Sequence, residues 1–327
     1  MNRLALFLCT IVVLLFIGAL VIGPAQLSVG QSLNALMFGD DGPMTLVMRE
    51  IRLPRAILGV LVGGALGLAG AAMQGYLRNP LADPGLIGVS GSAALGAVLS
   101  IQTGLAATMV LALPMMALAG ALVGVLLVLV LAGPRGSSLT LILAGIAISA
   151  FAGALTSLVL NLSPNPYAAS EIIFWMMGSL ADRSMIHVWI ALPLIITGSL
   201  LLSTLSRGLD ALTLGEDAAE AMGVNLTRLR LSLIFGTAAV VGASTAVAGA
   251  IGFVGLVVPH LLRPWVGARP GALLWASGLG GAAMILAADI LVRVVLPESD
   301  LKLGVVTALV GAPLFLHLIY RTRRDGL

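Results

Sequence analysis

Long apolar stretches separated by short polar segments run along the whole chain, and this pattern predicts membrane-spanning helices. A helix needs about 20 predominantly apolar residues to cross the hydrocarbon core of a bilayer. The stretches near 86 and 251 are shorter and rich in Gly and Pro, which predicts bent helices sheltered inside the protein. We predict ten spans, near 4–23, 54–76, 86–103, 106–132, 138–161, 187–205, 228–249, 251–267, 271–296 and 303–321.

Composition favours a polytopic membrane bundle over a soluble domain. Hydrophobic residues fill 59% of the 327 positions and charged residues only 9%, against roughly 25% charged in soluble domains. The apolar stretches do not alternate with polar residues, which excludes a membrane β-barrel. No Pro-rich or Ser-rich linker divides the chain, so we predict one all-α transmembrane domain over residues 1–327. The first stretch exceeds the roughly 7–15 apolar residues of a signal-peptide core, and we expect it to remain as a span.

The basic residues predict the orientation of the chain. Ten spans place both termini on one side of the membrane, and loops rich in Lys and Arg face the cytoplasm. With both termini inside, eleven of the 17 basic residues, Arg135 among them, fall in cytoplasmic segments and six fall outside. Three of those six crowd into segment 49–55, which the orientation rule does not explain. The net charge of +3 is too small to indicate a nucleic-acid partner.

A short acidic segment lies between the sixth and seventh predicted spans. Thr213 and Glu216 have the spacing of a capping box, and Gly223 is placed to end the helix that they would begin. The resulting helix, over 213–223, is too short and too acidic to enter lipid. It is therefore either a solvated loop helix or a docking element for a soluble partner.

This segment resembles the coupling helix of the FecCD-type permeases, which belong to importers of iron–siderophore complexes, haem and vitamin B12. The residues that carry the resemblance are Leu214, Gly215, Glu216, Asp217, Glu220, Met222 and Gly223. Other segments resemble the same family in order and spacing, at 51–55, 78–84, 86–90, 143–145, 175–180, 252–260 and 304–313. The resemblance therefore extends along almost the whole chain.

The resemblance implies an assembly in the bacterial inner membrane. Two copies of the chain would form a homodimer, with two cytoplasmic ABC ATPase subunits bound at the coupling helices and a periplasmic substrate-binding protein docked outside. ATP and Mg²⁺ would belong to the ATPase, so this chain is expected to hold no cofactor and to catalyse no reaction. The sequence agrees on one point, because the only lysine, Lys302, precedes Leu303 and no GxxxxGK[ST] phosphate-binding loop exists.

The resemblance also implies a docking site for carboxylates of the binding protein. The matching positions are Arg52, Arg55 and Arg293, which explains the basic cluster at 49–55. The alternative is that Arg55 and Arg293 anchor the ends of spans at lipid headgroups. Asp289 lies one helical turn before Arg293, and we also expect an ion pair within that helix.

Two loops on the cytoplasmic side resemble the gate of this family. One loop carries Asn79, Pro80 and Leu81, and the facing loop carries Ser137 and Ser138. Ordinary turns are the alternative, because Asn-Pro and paired serines are common in turns.

Small and polar residues follow one face of the fifth predicted span, at Gly145, Ser149, Gly153 and Thr156. Such a face indicates close helix packing or the wall of a pathway, and the resemblance favours the pathway. The second span carries small residues at intervals of four, which indicates close packing; they are Gly59, Gly63, Gly67, Ala71 and Gly75.

Taken with the resemblance, these features predict import of a bulky iron chelate, a siderophore complex or haem, by alternating access driven by a separate ATPase. Cobalamin import by the same architecture is an alternative. An ion-coupled secondary transporter is a second alternative, although such carriers usually need buried carboxylates and Asp289 is the only acid well inside a span. The GxSG pattern at 88–91 fits an intramembrane protease, but such short patterns arise easily in a Gly-rich chain. No histidine has the neighbours of a metal site.

Overall fold

The computed structural model describes residues 2–23, 28–39, 42–133, 137–295 and 301–324, with the backbone alone for residues 2, 318, 319 and 321–324. Within these ranges every regular element is helical and there is no β-strand. Arg135, predicted to face the cytoplasm, lies outside the described residues. The all-α class predicted from the apolar pattern is confirmed.

The described residues form sixteen α-helices, one π-helical turn over Val47–Arg52 and two 3₁₀ turns over Pro84–Ile87 and Arg263–Val266. The helices are α1 (Asn2–Val21), α2 (Val29–Phe38), α3 (Pro43–Leu46), α4 (Leu53–Leu77), α5 (Val89–Gln102), α6 (Leu105–Thr108), α7 (Ala112–Ala132), α8 (Ser138–Asn161), α9 (Pro166–Met176), α10 (Met185–Ser203), α11 (Ser206–Leu212), α12 (Glu216–Ala221), α13 (Leu226–Ala248), α14 (Val254–Leu262), α15 (Pro270–Val295) and α16 (Leu303–Arg324).

Seven of the described helical segments are long and apolar enough to cross a membrane. They are Arg3–Val21, Pro43–Leu77, Ala112–Ala132, Ser138–Asn161, Met185–Ser203, Leu226–Ala248 and Pro270–Val295. Three shorter apolar segments accompany them, at Val89–Gln102, Val254–Val266 and Leu303–His317. Each of the ten predicted spans overlaps one of these segments. The chain is thus a polytopic helical bundle, while the number of crossings and the orientation stay predictions.

Three helices begin later than the apolar pattern predicted. One of them, α5, begins at Val89 rather than at 86, and the other two begin after a break in the backbone. The fourth predicted span starts at 106, but Met109 takes an extended conformation that separates α6 from α7. The eighth starts at 251, but α13 ends at Gly249 with φ +73° and α14 begins only at Val254. In both places apolar residues continue through a break in the backbone, so hydropathy alone does not reveal where the helix starts.

The short helix α14 is buried over Val254–Pro259, as predicted, and carries a proline at position 259. Pro259 has no N–H, so the carbonyl of Gly255 loses its usual helical donor. The buried side chain of Gln74 compensates, because its Nε2 donates to the carbonyl oxygens of Gly255 and Leu256 at 3.4 and 3.2 Å. Its Oε1 accepts a hydrogen bond from Arg263 at 2.7 Å. These contacts hold α14 against the C-terminal part of α4.

Glycines bring α4 and α15 into backbone contact at the centre of the bundle. A Cβ added to Gly67 would overlap the carbonyl oxygen of Ser277, and one on Gly63 would overlap that of Gly281. Helices this close gain dispersion contacts that larger side chains would prevent. The packing predicted for the glycines of the second span is therefore present.

The outer helices expose apolar side chains. Between 11% and 33% of the residues in the most apolar 18-residue stretch of α1, α7, α8 and α10 are buried. In the segment that contains α4, 78% of the corresponding residues are buried. A water-soluble protein does not leave apolar faces of this extent uncovered. Lipid, or a second protein subunit, must cover them.

Candidate functional site

The acidic helix predicted at 213–223 is shorter than expected and begins differently. Helix α12 covers only Glu216–Ala221, and Gly215 occupies its N-cap position with φ +107° and no side-chain cap. Thr213 does not cap it, because the Thr213 hydroxyl donates to the carbonyl of Asp210 at 2.7 Å and so belongs to the end of α11. The predicted capping box is therefore wrong, since the positive φ of Gly215 breaks the backbone between Thr213 and Glu216.

The end of α12 matches the sequence prediction. Gly223 has φ +86°, a conformation that favours glycine. The N–H of Gly223 donates to Glu220 at 2.8 Å and that of Val224 donates to Ala219 at 3.0 Å. This pair of hydrogen bonds is the Schellman motif, which satisfies carbonyls that the helix end would otherwise leave free.

Helix α12 presents a mixed acidic and apolar surface. Ala219 is fully buried against the rest of the chain, while Glu216, Asp217 and Glu220 are exposed. Leu214 and Met222, which flank the helix, are 69% and 64% exposed. In the described part of the chain, none of the three carboxylates forms a salt bridge. Exposed apolar side chains beside exposed carboxylates are suited to contact with a complementary protein surface.

The two predicted gate loops lie at the same end of the bundle as α12. The Tyr76 side chain, in the last turn of α4, contacts Ser138 and lies within electrostatic range of Glu216. Ser137 caps α8 by accepting from the N–H of Thr140 at 3.2 Å. The loop after α4 is closed by Asn79, whose side chain accepts from the N–H of Leu81 at 2.9 Å.

The gate residues themselves are accessible. Asn79, Pro80 and Ser137 are exposed, and Leu81 and Ser138 are half-buried. Farther along the first loop, burial raises the pKa of Asp83, although the N–H of Gly85 donates to this carboxylate at 2.7 Å and opposes the shift. The structure therefore brings the two loops to one end. Their gating role remains a prediction.

The side chains of the three arginines predicted to dock the binding protein point toward the interior of the subunit. Arg52 is only 4% exposed, and its guanidinium donates to the carbonyls of Leu20 and Val21 at 2.8 Å each. Arg293 donates to the carbonyls of Ala19 and Ile22, also at 2.8 Å. The last carbonyls of a helix have no partner within the helix. These arginines supply the donors for the end of α1.

A buried carboxylate holds two of these arginines together. Asp289 is 1% exposed; its Oδ1 lies 2.7 Å from Arg55, and its Oδ2 lies 2.6 Å from Arg293. The ion pair expected between Asp289 and Arg293 within one helix is confirmed. The pair with Arg55 was not predicted, because 234 residues separate the two positions and no local pattern links them.

Because their donors are already engaged, these arginines are not free in the isolated subunit. Docking through Arg52, Arg55 or Arg293 would require exchange of these partners for carboxylates of the binding protein. The docking role stays a prediction. The observed contacts join α1 to the π-helical turn through Arg52, α1 to α15 through Arg293, and α4 to α15 through Arg55.

The predicted pathway face of α8 divides into packed and open positions. A Cβ on Gly145 would overlap the carbonyl oxygen of Leu86, so Gly145 serves close packing. Thr156 is 4% exposed and is also packed. Ser149 is half-buried, and a Cβ on Gly153 would meet no atom within 4 Å. Only the last two positions have the access that a pathway wall requires.

An open depression of about 770 Å³, called below the cavity beside α16, lies between the end of α9, segment 250–253 and α16. All the described residues that line it are apolar or glycine, including Met177, Phe253 and Leu316. Phe253 has φ +68°, which is rare for a residue with a large side chain. The sequence offered no signal for this cavity, because its walls come from three distant segments.

Among the described residues, no cluster of three or more His, Cys, Asp or Glu side chains could hold a metal ion. The histidines therefore remain unassigned to any cofactor.

Comparisons with known proteins show similarity to transport permeases. The chain is 38% identical over 324 residues to the hemin transport system permease protein HmuU of Yersinia pestis, covering 98% of this chain and 96% of that one. It is 39% identical over 287 residues to the cobalamin import system permease protein BtuC of Halobacterium salinarum, covering 87% and 76%. A solved structure assigned to the metal-chelate type of ABC transporter, in an inward-facing conformation, matches with a TM-score of 0.87 and 33% identity, covering 98% of this chain and 100% of that one.

The profile of the FecCD transport family matches residues 11–321, nearly the whole chain. The chain belongs to the FecCD transport family.

Proposed function

We propose that the chain is the transmembrane subunit of an ATP-binding-cassette importer and that a separate ATPase binds it at α12. The observation that carries the proposal is the exposed surface of α12, with three carboxylates flanked by Leu214 and Met222. A helix held at both ends and presenting this surface fits a docking element better than a solvated loop helix.

Under this proposal two copies of the chain form the pathway in the bacterial inner membrane. Two cytoplasmic ATPase subunits supply ATP hydrolysis and hold the Mg²⁺, and a periplasmic binding protein delivers cargo. Exchange between outward and inward access would open and close the loops at Asn79, Pro80, Leu81, Ser137 and Ser138. Ser149 and Gly153 are the positions of the α8 face that remain accessible for the pathway.

The cargo that fits best is a bulky iron chelate, either a siderophore complex or haem. The described residues that line the cavity beside α16 are apolar or glycine, which suits recognition by shape rather than by ion pairs. The hemin permease relative supports this class. Cobalamin is the alternative, supported by the cobalamin permease relative and by the same lining.

An ion-coupled carrier is disfavoured by the surroundings of Asp289. Its carboxylate oxygens contact Arg55 and Arg293 at 2.7 and 2.6 Å. A carboxylate neutralised by two arginines is a poor proton or cation site, because the bound positive charges compete with the ion.

The test is reconstitution of the purified chain with its ATPase in proteoliposomes, with ATP turnover and complex formation as readouts. We expect the double variant Glu216→Lys/Asp217→Lys to weaken binding of the ATPase by at least about tenfold, because reversed charges repel the partner surface. Glu171→Lys, an exposed acid on α9, is the matched control and is expected to bind as the native chain does.

Loss of binding in the double variant alone would support docking at α12. If the native chain neither binds nor regulates an ATPase, the importer proposal fails and an ion-coupled carrier becomes the leading hypothesis.

A further inference from the structure

Helix α12 contacts the bundle through α11 and the start of α13. The connection from α11 is tight, because the N–H groups of Leu214 and Gly215 donate to Ala211 and Leu212 at 3.0 and 3.1 Å. On its other side α11 is packed into the bundle by Leu209, which is fully buried. Helices α11 and α12 therefore form one compact unit, and a force on α12 is carried to whatever holds α11.

One side chain of α11 bonds directly to the first turn of α15. The Oδ1 atom of Asp210 accepts a hydrogen bond from the N–H of Gly271 at 2.8 Å, across 61 residues of sequence. The first N–H groups of a helix have no partner within the helix, and Pro270 before it has no N–H to offer. A carboxylate is also favoured there by the positive end of the helix dipole. Asp210 thus caps α15 from a different helix.

The partner position is a glycine for a steric reason. A Cβ on Gly271 would overlap the hydroxyl oxygen of Ser206 and would lie 2.8 Å from Oδ2 of Asp210. Any larger residue at 271 would push α11 away from α15. The contact therefore depends on a carboxylate on one helix and a missing side chain on the other.

Helix α15 extends from this contact to the arginines at the far end of the bundle. Its 26 residues run without an internal proline, which corresponds to about 39 Å of helix. Asp289, near the other end, is bonded to Arg55 of α4. Between the two ends, Gly67 packs against the backbone of Ser277. Helix α15 is continuous from Pro270 to Val295 and packs along α4, so a displacement at Gly271 would be transmitted along this pair.

We propose that Asp210 is a positioning residue that fastens α11 to α15, so that motion of α12 imposed by the ATPase moves the α4–α15 pair. The proposal rests on the docking of the ATPase at α12. Without the Asp210 contact, the ATPase would still bind and still move α12, but the far end of α15 would no longer follow.

The test follows the far end of α15 without any cargo. In a Cys9→Ser background, Val294→Cys places a label site in the last turn of α15, where the native side chain is 58% exposed. The readout is the rate of maleimide labelling of the reconstituted complex with and without ATP, together with ATP turnover. We expect ATP to change the labelling rate when Asp210 is present.

Asp210→Ala is expected to bind the ATPase and hydrolyse ATP normally, while the ATP-dependent change in labelling falls by about tenfold, the scale of a hydrogen bond to a charged group. Asp210→Asn keeps an acceptor oxygen and is expected to retain most of the change. Thr204→Ala is the matched control, because the Thr204 hydroxyl donates only within its own helix, to Leu201 at 2.7 Å.

Gly271→Ala separates the same two helices sterically and is expected to lose the ATP-dependent change while keeping the carboxylate. If Asp210→Ala does not assemble with the ATPase, Gly271→Ala alone tests the proposal. The proposal is overturned if both variants assemble and keep the full change. Absence of ATPase binding by the native chain would instead overturn the proposed function, so the two failures are distinguishable.

Discussion

The two ends of the bundle treat their charged residues in opposite ways. At the end that carries α12, the carboxylates of Glu216, Asp217 and Glu220 are exposed and form no salt bridge within the described residues. At the opposite end, Arg52 and Arg293 are directed inward onto the carbonyls of α1. The family resemblance implied a docking role for both clusters, yet only the acidic one is exposed in the isolated subunit.

The difference shows what decides the position of a charge at the edge of a membrane protein. The acidic side chains lie on the exposed face of α12 and form no salt bridge within the described residues. The arginines have long side chains and lie beside the C-terminal end of α1, whose last carbonyls need donors. Charged side chains that find no partner within the subunit stay available to another protein. Arginines beside a helix end instead bind its carbonyls and stabilise the fold.

The largest effect that tests this comparison is removal of the carboxylate at the arginine end. Asp289→Ala leaves Arg55 and Arg293 without their counter-ion in a nearly buried site, and we expect a loss of about 3–5 kcal/mol of stability. Thermal unfolding of the purified chain in detergent measures it. Glu220→Ala, at the other end, removes an exposed carboxylate and is expected to change stability by less than about 0.5 kcal/mol.

Equal effects of these two variants would contradict the comparison, because they would mean that the arginine cluster is no more structural than the exposed acids. A large loss in Asp289→Ala alone would support the interpretation that the arginines serve the fold first.

A smaller loss of stability is expected where glycines bring α4 and α15 into backbone contact. Gly67→Ala forces a methyl group onto the carbonyl oxygen of Ser277, and we expect a loss of about 1–3 kcal/mol. Gly64→Ala is the matched control on the same helix, because its Cβ would lie 3.5 Å from the nearest atom, the carbonyl oxygen of Gly278.

Since alanine is the better helix former, Gly64→Ala is expected to be neutral or slightly stabilising. Each variant adds one methyl group to α4, at positions three residues apart. The difference between their unfolding temperatures in the same detergent therefore measures the effect of packing against α15. Equal shifts in both would show that α4 and α15 are loosely packed, and the transmission proposed between the two ends would lose its physical basis.

The fold was largely predictable from the sequence, and the exceptions have a common cause. Continuous apolar stretches predicted helices that the structure contains, because lipid leaves a polypeptide few other ways to satisfy its backbone. The starts of α7 and α14 were missed because the backbone breaks at Met109 and at Gly249 occur within apolar sequence. Hydropathy reports the environment of a residue and carries no information on its φ and ψ angles.

The candidate site was predictable only where it is local. The end of α12 at Gly223 follows from a motif of a few consecutive residues. The contacts of Asp289 with Arg55 and of Asp210 with Gly271 cross 234 and 61 residues, and one sequence gives no means to pair such positions. The capping box failed for a third reason, because Gly215 adopts a positive-φ conformation that the spacing of Thr213 and Glu216 could not reveal.

The smallest expected effect is on the rate at which a binding protein associates with the arginine end, and it compares Arg49 with Arg52. Arg49 is exposed and donates to the carbonyl of Leu36 at 3.0 Å, whereas Arg52 is buried. We expect Arg49→Ala to slow association of the binding protein by about threefold at low salt, because an exposed charge acts mainly on encounter. Unfolding of this variant should change by less than about 0.5 kcal/mol. Arg52→Ala is the comparison, and it should lower the unfolding temperature through loss of the α1 contacts. If Arg52→Ala instead slows association without destabilising the fold, then the inward position of Arg52 is not its docked position, and the arginine end is a docking surface after all.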